Sequence, residues 1–476
     1  MSDHTDAEPI PAIGWQALFS DGHAAISVML AGGVAIHALS LRVVSTVLPT
    51  VVAEIGGLRF FAWTTTVAVV GAIWGASLAA SVARSWGLRR AYRISLALFA
   101  AGSITCAIAP DMAVFLIGRL FQGLGGGLLT ALAYTTIQRV FPHSLRTRAI
   151  VLVSGIWGVA ALCGPMLGGV LAGWGLWRWA FWVDVPVAIM LVVLAEFSLA
   201  RMAEPTAGAI EVGTAVARLS LLGASVLAVA TGSIWGTGLS SAIGLGVGAV
   251  PLIVLLRIEQ SSASNRFRLL PTGAYRPRNV LGAVSLTMAL TVGSTMAVVY
   301  LPYVVVEIGG YAPILGGYLS AVLALSWTAA SFVTASAERK WAVRSILAGV
   351  TLVVGGMVLT GVALIVWSMM TVALALILVG GGIGVAWAHL ANLMMAHARA
   401  GEHDISSAFI STNQMVANSF ASALAGMVAN LAGFADPSVG SAGLVRAVAW
   451  VFFAFSLVAA GALPVSLMSI RLSSEQ

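Results

Sequence analysis

Leu48-Pro49-Thr50-Val51-Val52-Ala53-Glu54-Ile55-Gly56-Gly57 recurs 253 residues later as Leu301-Pro302-Tyr303-Val304-Val305-Val306-Glu307-Ile308-Gly309-Gly310. In each copy an apolar run ends on an acid and paired glycines, the pattern of a helix that stops through a glycine turn. A second pair repeats at an offset of 255: Arg84-Ser85-Trp86-Gly87-Leu88-Arg89 and Arg339-Lys340-Trp341-Ala342-Val343-Arg344. Two related halves are therefore the first expectation.

The surrounding composition sets the medium. Of 476 residues, 59% are hydrophobic and 9% charged, with mean hydropathy +0.99; a soluble domain has about 25% charged residues. Apolar segments fall at 25–50, 61–82, 91–109, 112–138, 147–172, 178–199, 216–236, 239–256, 280–303, 313–335, 345–367, 369–395, 405–431 and 443–468. Each is about the 20 residues that a crossing needs, which predicts an all-α polytopic membrane protein of fourteen spans. Eight spans separate the repeats, so both copies face the same way. The expected order is a tail (1–24), a six-helix bundle (25–199), a linker (200–215), two inserted spans (216–256), a loop (257–279), a second six-helix bundle (280–468) and a tail (469–476). Parallel repeats are a transporter architecture with the substrate path at their interface. A channel or receptor shares the hydropathy, but the repeats supply the two bodies that rocking requires.

The net charge of +7 follows topology rather than a nucleic-acid stripe. With the N-terminus inside, 19 of the 24 basic residues fall in cytoplasmic segments, Arg84, Arg89, Arg90 and Arg93 among them. Arg59, Arg178 and Arg446 lie outside, and Arg42 and Arg119 lie within spans. That bias predicts both termini in the cytoplasm. The first 20 residues hold Asp3, Asp6 and Glu8 and no basic residue, so no cleaved signal peptide is expected. Cys106 and Cys163 sit in apolar runs as small hydrophobes. Glu402-His403-Asp404 reads as helix capping, and no metal site is expected. No Gly-x-x-x-x-Gly-Lys-Ser/Thr stretch occurs, which disfavours direct ATP drive.

Two stretches carry functional expectations. Arg119-Leu120-Phe121-Gln122-Gly123-Leu124-Gly125-Gly126-Gly127 places an arginine eight residues, about 12 Å, from Asp111 at the span's end. An arginine at that depth is a functional or network residue by default. Gly155-Ile156-Trp157-Gly158 and Gly164-Pro165-Met166-Leu167-Gly168-Gly169 combine a helix break with small residues, as a static kink or a gating seam would.

These stretches resemble the Major Facilitator Superfamily, specifically its fourteen-span drug:proton antiporter group. Arg119–Gly127 looks like that group's span-4 motif, whose arginine is implicated in proton handling. Gly155–Gly169 is similar to its span-5 antiporter motif, a marker of export, and Trp177-Arg178-Trp179-Ala180-Phe181 with Asp184-Val185-Pro186 resembles the start of its span 6. The cytoplasmic Arg257-Ile258-Glu259 also fits. The resemblance implies the major facilitator fold, two six-helix bundles plus two inserted spans. Two positions depart from the group. In the loop after span 2 this chain has Ala80, Arg84, Ser85, Gly87, Leu88 and Arg89, a basic residue where the group has its acid; Arg84 could pair with Glu338 or another cytoplasmic acid. In span 1 the group's acid is replaced by Ser40, with His37 and Arg42 nearby and no carboxylate from 22 to 53.

Asp184 is a candidate for a partly buried proton carrier, or else a carboxylate paired with Arg178 or capping a local turn. Glu54 and Glu307 are gate residues or symmetric interface residues, and Arg84 and Arg89 join Gly155, Gly158, Gly164, Pro165, Gly168 and Gly169 as expected gating positions. Arg42 lies about 18 Å into a helix that starts near residue 30. It either pairs with an acid from another span or gives the cavity a positive potential that favours anionic or neutral polar substrates. His37, Ser40, Arg42, Trp157, Gln122, His389, Asn392, Asn413 and Gln414 are cavity candidates. Trp74 and Trp157 are lipid-facing or packed by default, and could instead form an aromatic wall for flat hydrophobic substrates. The resulting expectation is a non-enzymatic, cofactor-free exporter in a bacterial inner membrane. It would move drug-like amphipathic molecules against proton influx as a monomer among lipids, without nucleic acid. An anionic or lipid-like metabolite, or a scaffold or sensor role, is the alternative.

Overall fold

The computed structural model describes residues 15–20, 23–200, 213–261, 270–274, 276, 278–334, 339–399 and 402–474. Those residues form helices α1 (His23–Ile55), α2 (Trp63–Ala107), α3 (Met112–Val140), α4 (His143–Gly173), α5 (Trp179–Trp182), α6 (Asp184–Ser198), α7 (Gly213–Gly232) and α8 (Gly238–Ser261). The second half has α9 (Val280–Gly293), α10 (Leu301–Tyr303), α11 (Pro313–Thr334), α12 (Arg339–Ile365), α13 (Met369–Ala396), α14 (His403–Leu431), α15 (Gly440–Ala460) and α16 (Ala462–Ser474).

Eleven helical stretches among the described residues are long and apolar enough to cross a bilayer, against the fourteen expected. The segments expected at 91–109, 216–236 and 405–431 are helical, in α2, α7 and α14, but fall short of that standard. The second arm of α2 begins with Arg89, Arg90 and Arg93, the apolar part of α7 is only Ala217–Gly232, and α14 carries Asn413, Gln414, Asn418, Ser419 and Ser422. Gly87 separates the arms of α2 at φ 80°, ψ 160°, a backbone state that glycine alone takes at low cost.

The repeated decapeptides end alike and fold differently. Gly56, Gly57 and Gly310 all have positive φ and terminate their helices. The first copy runs as uninterrupted α1 through Pro49, whereas the second passes from a 3-10 stretch (Ser294–Tyr300) through α10 into a π-helical turn (Val304–Ile308). Each proline removes one backbone donor, and only the second copy absorbs the loss by rewinding.

Glycines on α3 set the packing of the first bundle. A Cβ at Gly125 would lie 2.6 Å from Ser95 O on the second arm of α2, and one at Gly123 or Gly127 would collide with Ala68 or Ala72 on the first arm. One at Gly126 would overlap the His37 ring of α1. A run of missing side chains thus lets α3 wedge between α1 and both arms of α2, as apolar packing without a solvent drive requires.

The two ends of the molecule differ. At the end that carries Glu54, one hydrophobic cluster joins both halves, from Val47, Val51 and Phe61 to Val304, Phe434 and Phe452. Phe434 lies 5.8 Å from Phe61 and 4.8 Å from Tyr300, ring centre to ring centre, and Ser422 and Asn430 of α14 donate to Ala62 O and Arg59 O at 3.1 and 3.0 Å. At the end that carries Arg89, the core divides. One cluster holds only first-half residues, such as Leu96, Leu132 and Leu191, and another only second-half residues, such as Ile346 and Leu390.

The glycine-proline stretch of α4 lies on the joined end. A Cβ at Gly168 would meet Thr46 of α1 at 3.0 Å, one at Gly169 would meet Ile314 Cα of α11 at 2.5 Å, and one at Gly317 would meet Pro165 at 2.7 Å. Gly158 sits seven residues, two turns or about 10 Å, towards the other end on Pro165's face, and a Cβ there meets nothing within 4 Å. Helix α7 lies against both halves, with Trp63 and Trp74 of α2 donating to Ala230 O and Leu219 O at 3.1 and 2.9 Å and Asn430 of α14 donating to Ser233 O at 2.9 Å. Trp74 is thereby a packed tryptophan, its ring lying where Gly223 of α7 has no side chain.

Gly169→Val should destabilise the protein by about 1–3 kcal/mol through overpacking, while Gly158→Val should change it by less than about 0.5 kcal/mol. Thermal melts of the two purified variants check this, and equal melting temperatures would contradict the seam.

Candidate functional site

Four buried polar side chains from three helices converge inside the first bundle. Arg119 and Gln122 are one turn apart on α3, and Arg119 Nη1 donates to Gln122 Oε1 at 2.6 Å. The Gln122 amide nitrogen donates to Ser103 Oγ at 2.8 Å and to Asp184 Oδ2 at 3.3 Å. Ser103 of α2 completes the set by donating to the same Asp184 oxygen at 3.0 Å. Arg119 Nε also donates to Thr64 O at 3.4 Å. Arg119 is 2% exposed and Asp184 8%.

The arrangement is chemically specific. An ionised carboxylate only accepts hydrogen bonds, and a protonated one also donates. Ionised Asp184 therefore suits the two donors that face it, and its charge is linked to Arg119 through an amide whose oxygen and nitrogen are both engaged. A proton on Asp184 removes the charge that Arg119 balances and changes what Gln122 can hold. Among the described residues, no three His, Cys, Asp or Glu side chains converge as a metal site requires.

The expected residues divide among several places. Arg119 and Asp184 meet in this network; Gln122, expected in the cavity, is its centre at 1% exposure. His37 is buried against Gly126, with Phe99 and Trp157 edge-on at 6.5 and 6.0 Å. Ser40 and His389 are buried with Ser40 Oγ and His389 Nε2 unpartnered. Asn413 donates to Ser285 O at 2.9 Å, Gln414 is half-buried and Asn392 exposed. Arg42 is half-buried, its Cβ packed where Gly164 has no side chain.

The alternative partner proposed for Asp184 is engaged elsewhere. Arg178 pairs with Glu54, and Trp177 Nε1 donates to Glu54 at 2.6 Å. Glu307, the repeat counterpart, is exposed, so the two acids are not equivalent. Arg89 lies 3.7 Å from Glu196 of α6, and Arg93 Nη2 lies 2.5 Å from it, both within the first bundle. Arg84 is exposed, and its expected pairing with Glu338 lies outside the described residues, as does linker segment 201–212. Gly155, like Gly158, has open space beside it. Ser103 and Thr64 are the residues sequence reasoning missed: a hydroxyl in an apolar run carries no signal that separates a network member from a packed residue, and Thr64 takes part through its backbone carbonyl, which any residue could supply.

Comparison with known proteins places this geometry in a family. The sequence model of the Major Facilitator Superfamily matches residues 30–422. A protein described as a probable multidrug-efflux transporter of Mycobacterium tuberculosis (strain H37Rv) is 33% identical over 466 residues, 94% of each chain. A multidrug transporter protein of Bacillus subtilis is 25% identical over 326 residues, 68% of this chain and 60% of that one. Among solved structures, a bacterial homologue of the human lysosomal transporter Spinster superposes with a TM-score of 0.67 at 12% identity, covering 96% of this chain and 99% of the other. A peptide transporter in complex with sulfate gives 0.65 at 16% identity, covering 94% of each. The chain belongs to the Major Facilitator Superfamily.

Proposed function

We propose that this transporter exports amphipathic, drug-like molecules from a bacterial cell in exchange for protons, by alternating access between its two bundles. The observation that carries the reading is the buried Arg119–Gln122–Ser103–Asp184 network. Glu54, Glu196, Glu259 and Glu307 lie within two residues of their helix ends, whereas Asp184 is five residues inside the Trp179–Ser198 stretch. It is therefore the deepest carboxylate and the natural proton carrier. The relative described as a probable multidrug-efflux transporter, similar over 94% of both chains, supports export of a small molecule.

The proposed topology follows the basic residues: the Arg89 end faces the cytoplasm and the Glu54 end faces out, with fourteen traverses and both termini inside. The closed Glu54 end and divided Arg89 end then correspond to an inward-open state. A proton reaching Asp184 neutralises it and frees Gln122 and Arg119 from holding an anion. Asp184 lies where α6 begins, next to the Trp177–Arg178 segment that grips Glu54, so its charge state bears on the closed end. Gly164–Gly169 is the seam along which α4 separates from α11 in the outward-open state.

Acidified everted vesicles test the exchange. Wild type should release lumenal protons on addition of some amphiphiles from a cationic, neutral and anionic panel. Asp184→Asn should reduce that release about tenfold or more, with Asp184→Glu retaining part of it. Undiminished release by correctly inserted Asp184→Asn would remove Asp184 from the coupling path. Gln122→Leu leaves Asp184 and Arg119 in place but cuts the amide link; it should lower proton-linked flux more than equilibrium substrate binding. Equal losses in flux and binding would contradict a coupling role for Gln122.

A further inference from the structure

We propose that Arg42 is the binding point for the anionic group of the transported amphiphile, an assignment that rests on the transporter reading and names its substrate class. The argument begins with charge balance inside the membrane. Among the described residues, three sheltered charged side chains lie five or more residues inside a membrane-spanning stretch: Arg42, Arg119 and Asp184. Asp184 is hydrogen-bonded to Ser103 and Gln122, and Gln122 in turn binds Arg119. The buried Arg218 of α7 and Glu259 of α8 face each other at 3.2 Å. Among the described residues, the ion pairs of Glu54, Glu196 and Glu259 leave Arg42 with no carboxylate.

Its position excludes the usual escape. Arg42 lies 19 residues from the start of α1 and 13 from its end, about 28 and 20 Å at the helical rise, too far for the side chain to reach either surface. Helix α1 is enclosed by α3, α4 and α6 of its own bundle and by α10 and α11 of the other. One turn nearer the Glu54 end on the same face, Thr46 abuts Gly317 of α11, while the Arg42 stem lies on Gly164 of α4. Arg42 therefore sits at the inner limit of the cross-bundle seam, where the two halves begin to part.

A cation in that position pairs or faces a water-filled cavity, and among the described residues no carboxylate is placed to pair with it: Asp184 is held in the Arg119 network and Glu307 stands exposed one residue from its helix end. A carboxylate, sulfonate or phosphate on the substrate would supply the counter-charge, held through the planar guanidinium fork. The apolar remainder of the amphiphile would lie in the opening beside Gly158 and Gly155, where no side chain intrudes. Binding there, between Gly164 and the α11 contact, places the ligand at the seam that must open for its release.

Equilibrium binding to purified protein in phosphatidylcholine nanodiscs tests this without any ion gradient, so its outcome is independent of whether export is proton-driven. The probes are 1-anilinonaphthalene-8-sulfonate and its uncharged analogue N-phenyl-1-naphthylamine, with binding to empty discs subtracted. Wild type should hold the sulfonate about tenfold more tightly or better. Arg42→Gln should abolish that preference and leave the neutral probe unchanged, while Arg42→Lys should retain much of it. Equal saturable binding of the two probes to wild type overturns the proposal even if Arg42→Gln fails to fold, as does a preference that survives in folded Arg42→Gln. Discs containing phosphatidylglycerol separate two sources of the anion: loss of sulfonate binding there assigns the site to a lipid headgroup, and unchanged binding assigns it to a free amphiphile.

Discussion

Hydrocarbon offers no partner to a charge or a hydrogen-bonding group, and this constraint explains why the first bundle is built as it is. Arg119 and Asp184 lie on different helices and are joined through Gln122 and Ser103. Side chains of that length can meet only if α2, α3 and the start of α6 approach closely. The glycines of α3 permit the approach by removing every Cβ that would collide with Ala68, Ala72, Ser95 or His37. The polar network and the glycine run are therefore one device: the small residues bring the helices together, and the buried charges make separating them costly.

The same economy appears at the seam. Gly168, Gly169 and Gly317 bring α1, α4 and α11 into close contact at the Glu54 end, and aromatic packing around Phe434 seals the two halves there. At the other end the hydrophobic core separates into one cluster for each half. A contact made of missing side chains gains little from interlocking, which suits the parting and closing that the proposed alternating access requires. The inserted α7 touches α2 and α14 and bridges the halves away from the α4–α11 seam.

Much of this was legible in the sequence, for identifiable reasons. The repeat around Glu54 and Glu307 announced two parallel halves because proline, acid and paired glycines are rare in one order. Arg119 and Asp184 stood out because charges are expensive at that depth. Hydropathy read fourteen spans, but segments with Arg90 and Arg93, or with the amides of α14, fall below the standard that eleven stretches meet. The partners were not legible. Glu54 and Trp177 are 123 residues apart, and nothing in either segment says that they touch or that Glu307 stays exposed. Gln122 showed itself as a buried amide, but whether it faced a cavity or a charge depended on how α3 is rotated, which its glycines leave undetermined. Small residues in α4 foretold a close approach without naming α11 as the neighbour.

The central claim is that the charge on Asp184 governs the seam at the Glu54 end. Spin labels at Trp174→Cys and Tyr311→Cys, exposed positions flanking the α4–α11 contact, would report its width in a Cys163→Ser background. Their distance distribution should be measured between about pH 5 and pH 8. The account predicts two populations whose ratio changes with pH in the wild type and becomes independent of pH in Asp184→Asn. A pH response that persists unchanged in Asp184→Asn would contradict it.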